Sequence, residues 1–273
     1  MTPVLSQRSE PKLKSRRSIA DLLAPLDEIA DGSSPNFIAQ HSETFEIDGE
    51  TYRLPRYLFI GPRGGDVPIQ VGIFAGIHGD EPEGSYAIVQ FFKALEAHPE
   101  LATGYSLSIY PICNPTGFED NTRHSRNGKD LNREFWNNSL APEVRLLQAD
   151  LVSRSFNGII SLHTDDTADG FYGFVRGATL TKHLIEPALQ AAEEFLPRDN
   201  RSRIDGFDAR DGIIRNCYDG VLSAPPKVRP KPFELILETP KAAPSFLKQC
   251  AFVHAIESIL TEYRKFIAYA PNL

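Results

Sequence analysis

The chain reads as an α/β protein, a three-layer sandwich with a mixed, centrally parallel sheet flanked by helices, and three observations carry that reading. Short apolar runs alternate with longer stretches of helical periodicity, the order expected of a sheet with helical crossovers. Two of the runs, Ile69 to Ile77 and Gly158 to Leu162, lead directly into a histidine, and open α/β sheets place their ligand sites at the carboxyl ends of strands. The 273 residues are 41% hydrophobic and 24% charged, enough apolar material for one large domain.

The elements follow in order. Residues 1–34 read as a polar leader with one short amphipathic stretch, Ser18 to Ala30, interrupted by Pro25, and residues 35–273 as a single domain. Polar and apolar residues alternate in Glu43 to Ile47 and continue from Thr51 to Leu54, so Asp48-Gly49 between them predicts a hairpin with a tight turn. Further strands are expected at Arg56 to Ile60, Ile69 to Ala75, Leu107 to Ile112, Gly158 to Leu162 and Phe233 to Leu237. Helical spacing marks Gly84 to Ala97, Pro142 to Ser155, Leu180 to Phe195 and Ser245 to Tyr269. The charged, glycine-containing stretch Arg198 to Arg215 and the following Ser223-Ala224-Pro225-Pro226 predict long loops, whose arginines 201, 203, 210 and 215 are candidates for contact with an anionic substrate.

Charge and cysteine usage exclude several functions. A net charge of -7 and a pI near 5.5 argue against nucleic acid or an anionic membrane as partner. The segment Met1 to Arg17 is polar and basic without an apolar core, and no uninterrupted apolar run is long enough to span a bilayer. Three widely spaced cysteines, Cys113, Cys217 and Cys250, suggest neither a disulfide framework nor a thiolate metal site. A cytoplasmic protein is the expectation.

The chemistry concentrates at the two histidines. His78-Gly79-Asp80-Glu81 sets an imidazole and a carboxylate three residues apart at a strand end, half of a zinc site, and His163 offers the third ligand of a catalytic site that keeps its fourth position open for water. The intervening segment, Asn114-Pro115-Thr116-Gly117, then Arg123, then Asp130-Leu131-Asn132-Arg133, is rich in anion-binding groups. An Asn beside an Arg presents an amide and a planar guanidinium fork suited to a carboxylate. In an acidic protein, arginines gathered near a metal point to an anionic substrate or a developing oxyanion. Of the other histidines, those at 41, 98, 183 and 254 lack partners at ligand spacing, while His124 adjoins Arg123.

Taken in order, His78-x-x-Glu81, Asn114-Pro115-x-Gly117, Arg123, Asp130-x-Asn132-Arg133, His163 and Leu237-Glu238-Thr239 resemble the zinc metallocarboxypeptidase family (carboxypeptidase A-like), which is related to the succinylglutamate desuccinylase/aspartoacylase group. The resemblance implies one Zn2+ ion held by His78, Glu81 and His163, with Glu238 as general base and Arg123 polarising the scissile carbonyl. Asn132 and Arg133 would grip the substrate carboxylate, Tyr218 would be the mobile pocket tyrosine, and Asp130 would orient the His78 ring as outer carboxylates do for metal-bound imidazoles.

The implied activity is cleavage of a C-terminal amide or peptide bond by zinc-activated water, as in a metallocarboxypeptidase or peptide amidase, on a peptide or N-acyl amino acid substrate with a free carboxylate. The alternatives are an N-acyl amino acid deacylase, which would share the ligands and the Asp-x-Asn-Arg motif, and a non-catalytic binding module. Gly117 and the long spacing from His163 to Glu238 favour the peptidase, and the presence of Glu238 with all three ligands disfavours the binding module.

Overall fold

A computed structural model describes residues 16–32, 34–65, 67–176 and 178–269, so the part of the basic leader before Arg16 lies outside the described residues. Helix α1 (Ile19–Asp31) starts at Ser18, whose hydroxyl accepts from the Asp21 N–H, and it buries Leu22, Leu23, Leu26 and Ile29 although Pro25 lies within it. Strand β1 (Phe37–Ala39) precedes the hairpin of β2 (Phe45–Ile47) and β3 (Glu50–Tyr52). Asp48 and Gly49 both have positive φ, 51° and 77°, as a two-residue hairpin turn of this hand requires.

The chain continues through β4 (Tyr57–Ile60), β5 (Ile69–Ala75), α2 (Glu83–Ala97), β6 (Tyr105–Tyr110), α3 (Pro115–Asp120), α4 (Pro142–Ser153), β7 (Gly158–Asp165) and β8 (Tyr172–Val175). Next, α5 (Ala178–Leu180) runs through a π-helical stretch, Thr181–Ile185, into α6 (Glu186–Ala192). Three short strands, β9 (Arg203–Ile204), β10 (Phe207–Arg210) and β11 (Ile213–Ile214), precede β12 (Phe233–Pro240) and the long α7 (Ser245–Tyr269).

Ten strands form one sheet in the order β1-β4-β6-β5-β7-β12-β8-β11-β10-β9. The central run β6-β5-β7-β12 is parallel, while β4 and β8 flank it antiparallel, so the sheet is mixed with a parallel centre, as expected. Alternation then sorts the side chains. Val71 and Ile73 of β5, Ile160 and Leu162 of β7, and Leu235 and Leu237 of β12 join one core with α1, α2, α6 and α7. Phe74 and Ile159 face the other side, with Val144, Leu147 and Leu151 of α4. These are the three layers.

Some expectations shift. β6 ends at Tyr110 and not Ile112 because Pro111 has no N–H to give to the ladder. The stretch Arg198 to Arg215, expected as loops, contains β9 to β11, and β8 and α3 were not anticipated; elements of two to six residues show too little periodicity to register. Among the described residues no helix is long and apolar enough to cross a membrane.

Candidate active site

Strand ends build the site. Glu238 of β12 is the ladder partner of His163 in the parallel β7, so both side chains leave the same face at the same carboxyl edge. Beside them, β5 ends at Ala75, Gly76 turns with φ 62°, and the loop to α2 delivers His78 and Glu81. Asn114 holds this loop from the neighbouring strand end: its backbone N–H donates to the Gly76 carbonyl at 2.8 Å and its side-chain amide to the Ile77 carbonyl at 3.3 Å. The Asn114 side-chain oxygen caps α3 by accepting from the Gly117 N–H at 2.9 Å. The Asn-Pro-x-Gly motif is thus a structural brace for the His-x-x-Glu loop.

Three donor atoms converge. His78 Nδ1 lies 2.7 Å from Glu81 Oε1, His163 Nδ1 lies 3.0 Å from Glu81 Oε2, and the two Nδ1 atoms are 3.3 Å apart. All three side chains are buried, and their ligand atoms lie within 4.8 Å of one another. Asp130 accepts from His78 Nε2–H at 3.1 Å, which turns Nδ1 toward Glu81. A lone-pair nitrogen then faces a carboxylate and a second imidazole nitrogen, an arrangement that calls for a proton or a cation at its centre. Two nitrogens at about 2.0 to 2.1 Å from a tetrahedral zinc ion would be separated by roughly 3.3 Å, so the residues fit the metal.

Charge follows the same logic. Burial alone would make His78 less basic, but Glu81 and Asp130 outweigh it and raise its proton affinity. In His163 burial dominates and favours the neutral ring, the form that ligates metals. Burial of Glu81 is outweighed by the two imidazoles, which hold it ionised, and the Thr164 N–H adds a hydrogen bond to its Oε2 at 3.0 Å. For Glu238, burial together with the charges of Glu81, Asp165 and Asp205 raises the carboxyl well above its usual range.

Around these groups lies a cavity of about 280 Å³. Of the residues singled out in the sequence, His78, Glu81, Arg123, Asn132, Arg133, His163, Tyr218 and Glu238 line it, and Asp130 stands behind His78. Arg123 donates from Nε to Asp130 at 3.2 Å and from Nη1 to Glu81 at 3.4 Å. Asn132 spends its side-chain oxygen on the Leu222 N–H at 2.9 Å, leaving its NH2 group as the donor available to a ligand. Arg133 forms no ion pair among the described residues; it donates to the Asn132 carbonyl at 2.8 Å and its guanidinium lies 4.2 Å from the Tyr218 ring centre. The Tyr218 hydroxyl donates to the Asp205 carbonyl at 2.8 Å.

The loop arginines do not meet here. Arg201 pairs with Asp199 at 2.6 Å and Arg210 lies 3.5 Å from Asp211, Arg203 donates to the Gly206 carbonyl, and Arg215 lines a separate surface cleft. The same segment supplies Asp205 to the cavity instead, where Asp165 and Tyr172 join it. Asp165 ends β7 and accepts from the Tyr172 hydroxyl at 3.0 Å. Asp205 carried no motif and Tyr172 sits on an unanticipated strand, so only the position of Asp165 two residues after His163 was a usable signal.

The mixed sheet with its parallel centre and flanking helices is similar in fold to zinc carboxypeptidase-like structures. Among solved structures, a candidate metallopeptidase from Shewanella denitrificans OS217 is 24% identical with a TM-score of 0.73, covering 89% of each chain. A metallo-carboxypeptidase from Burkholderia cenocepacia is 17% identical with a TM-score of 0.70, over 92% of this chain and 70% of that one. A succinylglutamate desuccinylase/aspartoacylase from Rhodobacter sphaeroides is 17% identical with a TM-score of 0.56, over 84% of this chain and 66% of that one. At these identities the likeness is one of fold. In sequence, residues 68–197 match the family described as Succinylglutamate desuccinylase/Aspartoacylase catalytic domain, and no curated protein matches. The sequence match to the desuccinylase/aspartoacylase family thus covers residues 68–197, and the likeness to the metallo-carboxypeptidases is one of fold.

Proposed function

We propose that the protein is a zinc-dependent hydrolase of an amide bond that lies next to a free carboxylate, of the metallocarboxypeptidase or peptide amidase type. The observation that carries the reading is the ladder pairing of Glu238 with His163, which sets a carboxyl with no ion pair among the described residues beside a convergent His-Glu-His donor set. His78, Glu81 and His163 would hold the ion through Nδ1, a carboxylate oxygen and Nδ1. When bound, zinc supplies a Lewis acid and a water of lowered pKa.

The protein's own groups account for the remaining chemistry. Glu238 takes the proton of the attacking water and passes it to the leaving nitrogen, and its raised proton affinity suits both halves of that task. Arg123, half-exposed at the cavity wall and next to Glu81, is the donor for negative charge that develops on the carbonyl oxygen. Arg133, with no ion pair of its own among the described residues, and the amide of Asn132 take the substrate carboxylate. Asp130 fixes the His78 tautomer. Tyr218, which packs against the Arg133 guanidinium, would be the mobile tyrosine of the pocket.

A second reading, an N-acyl amino acid deacylase, is favoured by one observation: the matched sequence family is that of the desuccinylases and aspartoacylases. Both readings use the same groups. The test is hydrolysis by zinc-loaded protein of peptides with free C-termini beside a panel of N-acyl amino acids, with Glu238→Gln as blank. Cleavage of the peptides alone supports the first reading and of the acyl amino acids alone the second; silence of both panels, or equal rates with Glu238→Gln, sinks the proposal.

A further inference from the structure

The loop between the first two donors leaves no space for a side chain. A Cβ on Gly79 would stand 1.9 Å from the carbonyl carbon of Gly117, so the loop lies flat on the first turn of α3 and only glycine fits. Glycine is also the residue with the widest backbone freedom, so a loop that must hold His78 and Glu81 at fixed spacing needs an outside restraint. The Gly79 N–H reaches the Arg123 carbonyl only at 3.4 Å, a long hydrogen bond. The Gly79 carbonyl is bound at 2.7 Å by Nη1 of Arg17.

Arg17 is itself fixed on several sides. Its guanidinium also donates to the Phe118 carbonyl at 3.5 Å and to Asn121 Oδ1, and it lies over the Phe118 ring with Cζ 5.4 Å from the ring centre. Its backbone N–H donates to the Glu119 carbonyl at 2.9 Å. One planar fork therefore ties the His78–Glu81 loop to the far end of α3, from a position outside the matched family span of 68–197. Such a charged donor on a backbone carbonyl forms a stronger bond than a neutral one. The adjacent Arg16 points elsewhere, to Glu50 at 2.9 Å and Asp120 at 3.3 Å.

We propose that Arg17 is a positioning residue for metal binding: by holding the Gly79 carbonyl it fixes the spacing of His78 and Glu81 and so sets the affinity of the site for a divalent cation. The proposal rests on the reading of His78, Glu81 and His163 as metal ligands. Arg17 is not among the residues that line the cavity, so its effect appears in metal retention and not in the cavity's other contacts.

The experiment is zinc competition against a chromogenic chelator for the wild type, Arg17→Ala, Arg17→Lys and Arg16→Ala, with the melting temperature of each measured in EDTA. Arg17→Ala is expected to bind zinc on the order of ten-fold more weakly, the lower end of what loss of a group orienting a metal ligand costs. Arg17→Lys should fall between, because an ammonium has no planar fork to bridge the same acceptors. Arg16→Ala should match the wild type, and the metal-free melting temperatures of all four should agree. Wild-type zinc affinity in Arg17→Ala, an equal loss in Arg16→Ala, or a metal-free melting temperature that collapses with the affinity would overturn the proposal. If Arg17→Ala does not fold, Arg17→Lys decides: weakened zinc binding at an unchanged metal-free melting temperature supports the positioning role, and unchanged affinity ends it. A wild type that holds no zinc would bring down the ligand assignment as well, an outcome distinct from failure of the Arg17 variants alone.

Discussion

Glu238 has its carboxylate at the cavity wall, where burial and the charges of Glu81, Asp165 and Asp205 raise its proton affinity. A carboxyl whose folded-state pKa lies above the unfolded value favours folding when protonated, and that contribution is lost as pH rises through the folded pKa. In the metal-free protein at pH 7, above the ordinary carboxyl range, Glu238 is therefore a cost to folding, and Glu238→Gln should raise the melting temperature measured in EDTA, by about 1 kcal/mol of stability. The same substitution should lower turnover about 10³-fold while zinc binding persists. A variant that loses zinc would contradict the assignment of the base outside the ligand set. His163→Ala should show the opposite division, with metal retention lost first.

Helix α4 poses a separate question, because Glu143 in its first turn is 1% exposed and neither carboxylate oxygen has a hydrogen-bond partner in the described structure. Burial raises its pKa, although a carboxylate at a helix N-terminus is otherwise favourable. Glu143→Gln should stabilise the protein at pH 7 by roughly 1 kcal/mol. The gain over the wild type should shrink as pH falls toward the ordinary carboxyl range, where the wild-type side chain is protonated too; chemical denaturation at pH 7 and pH 5 reads the difference. A gain that is equal at both pH values would mean that the charge is not the cause. β7 and β12 pose no such conflict. Their apolar residues alternate so that one face packs on α2 and α7 and the other carries His163 and Glu238 to the rim, and a slip of one residue in register would separate the two.

The molecule as a whole is joined at the site. The three donor residues come from two segments at neighbouring strand ends, the loop after β5 and the end of β7, with β12 beside them. A ligand that binds only when both segments are in place stabilises the whole fold by mass action, about 2.7 kcal/mol at a hundred-fold excess over its dissociation constant. For a chain of this size that corresponds to a rise of about 5 to 10 °C in melting temperature, which zinc titration by calorimetry would register. The rise should vanish in His163→Ala. Zinc binding without any rise would indicate a site that does not bridge the two segments.

Much of the candidate site is legible in the sequence. The paired His78 and Glu81, His163 and the Asp-x-Asn-Arg run are local patterns, and apolar runs ending in a histidine place those side chains at strand ends because strands alternate and end where the apolar run ends. The parallel centre of the sheet followed from the alternation of strands with helices. Other features depend on contacts between residues far apart in the chain, which no local pattern encodes. The pairing of Glu238 with His163, the arrival of Asp205 in the cavity in place of the loop arginines, and the reach of Arg17 to the Gly79 carbonyl belong to this group. Local composition and periodicity act over a few residues and so specify elements and ligand types. Which groups share one cavity, and with what charges around them, is set by packing across the chain.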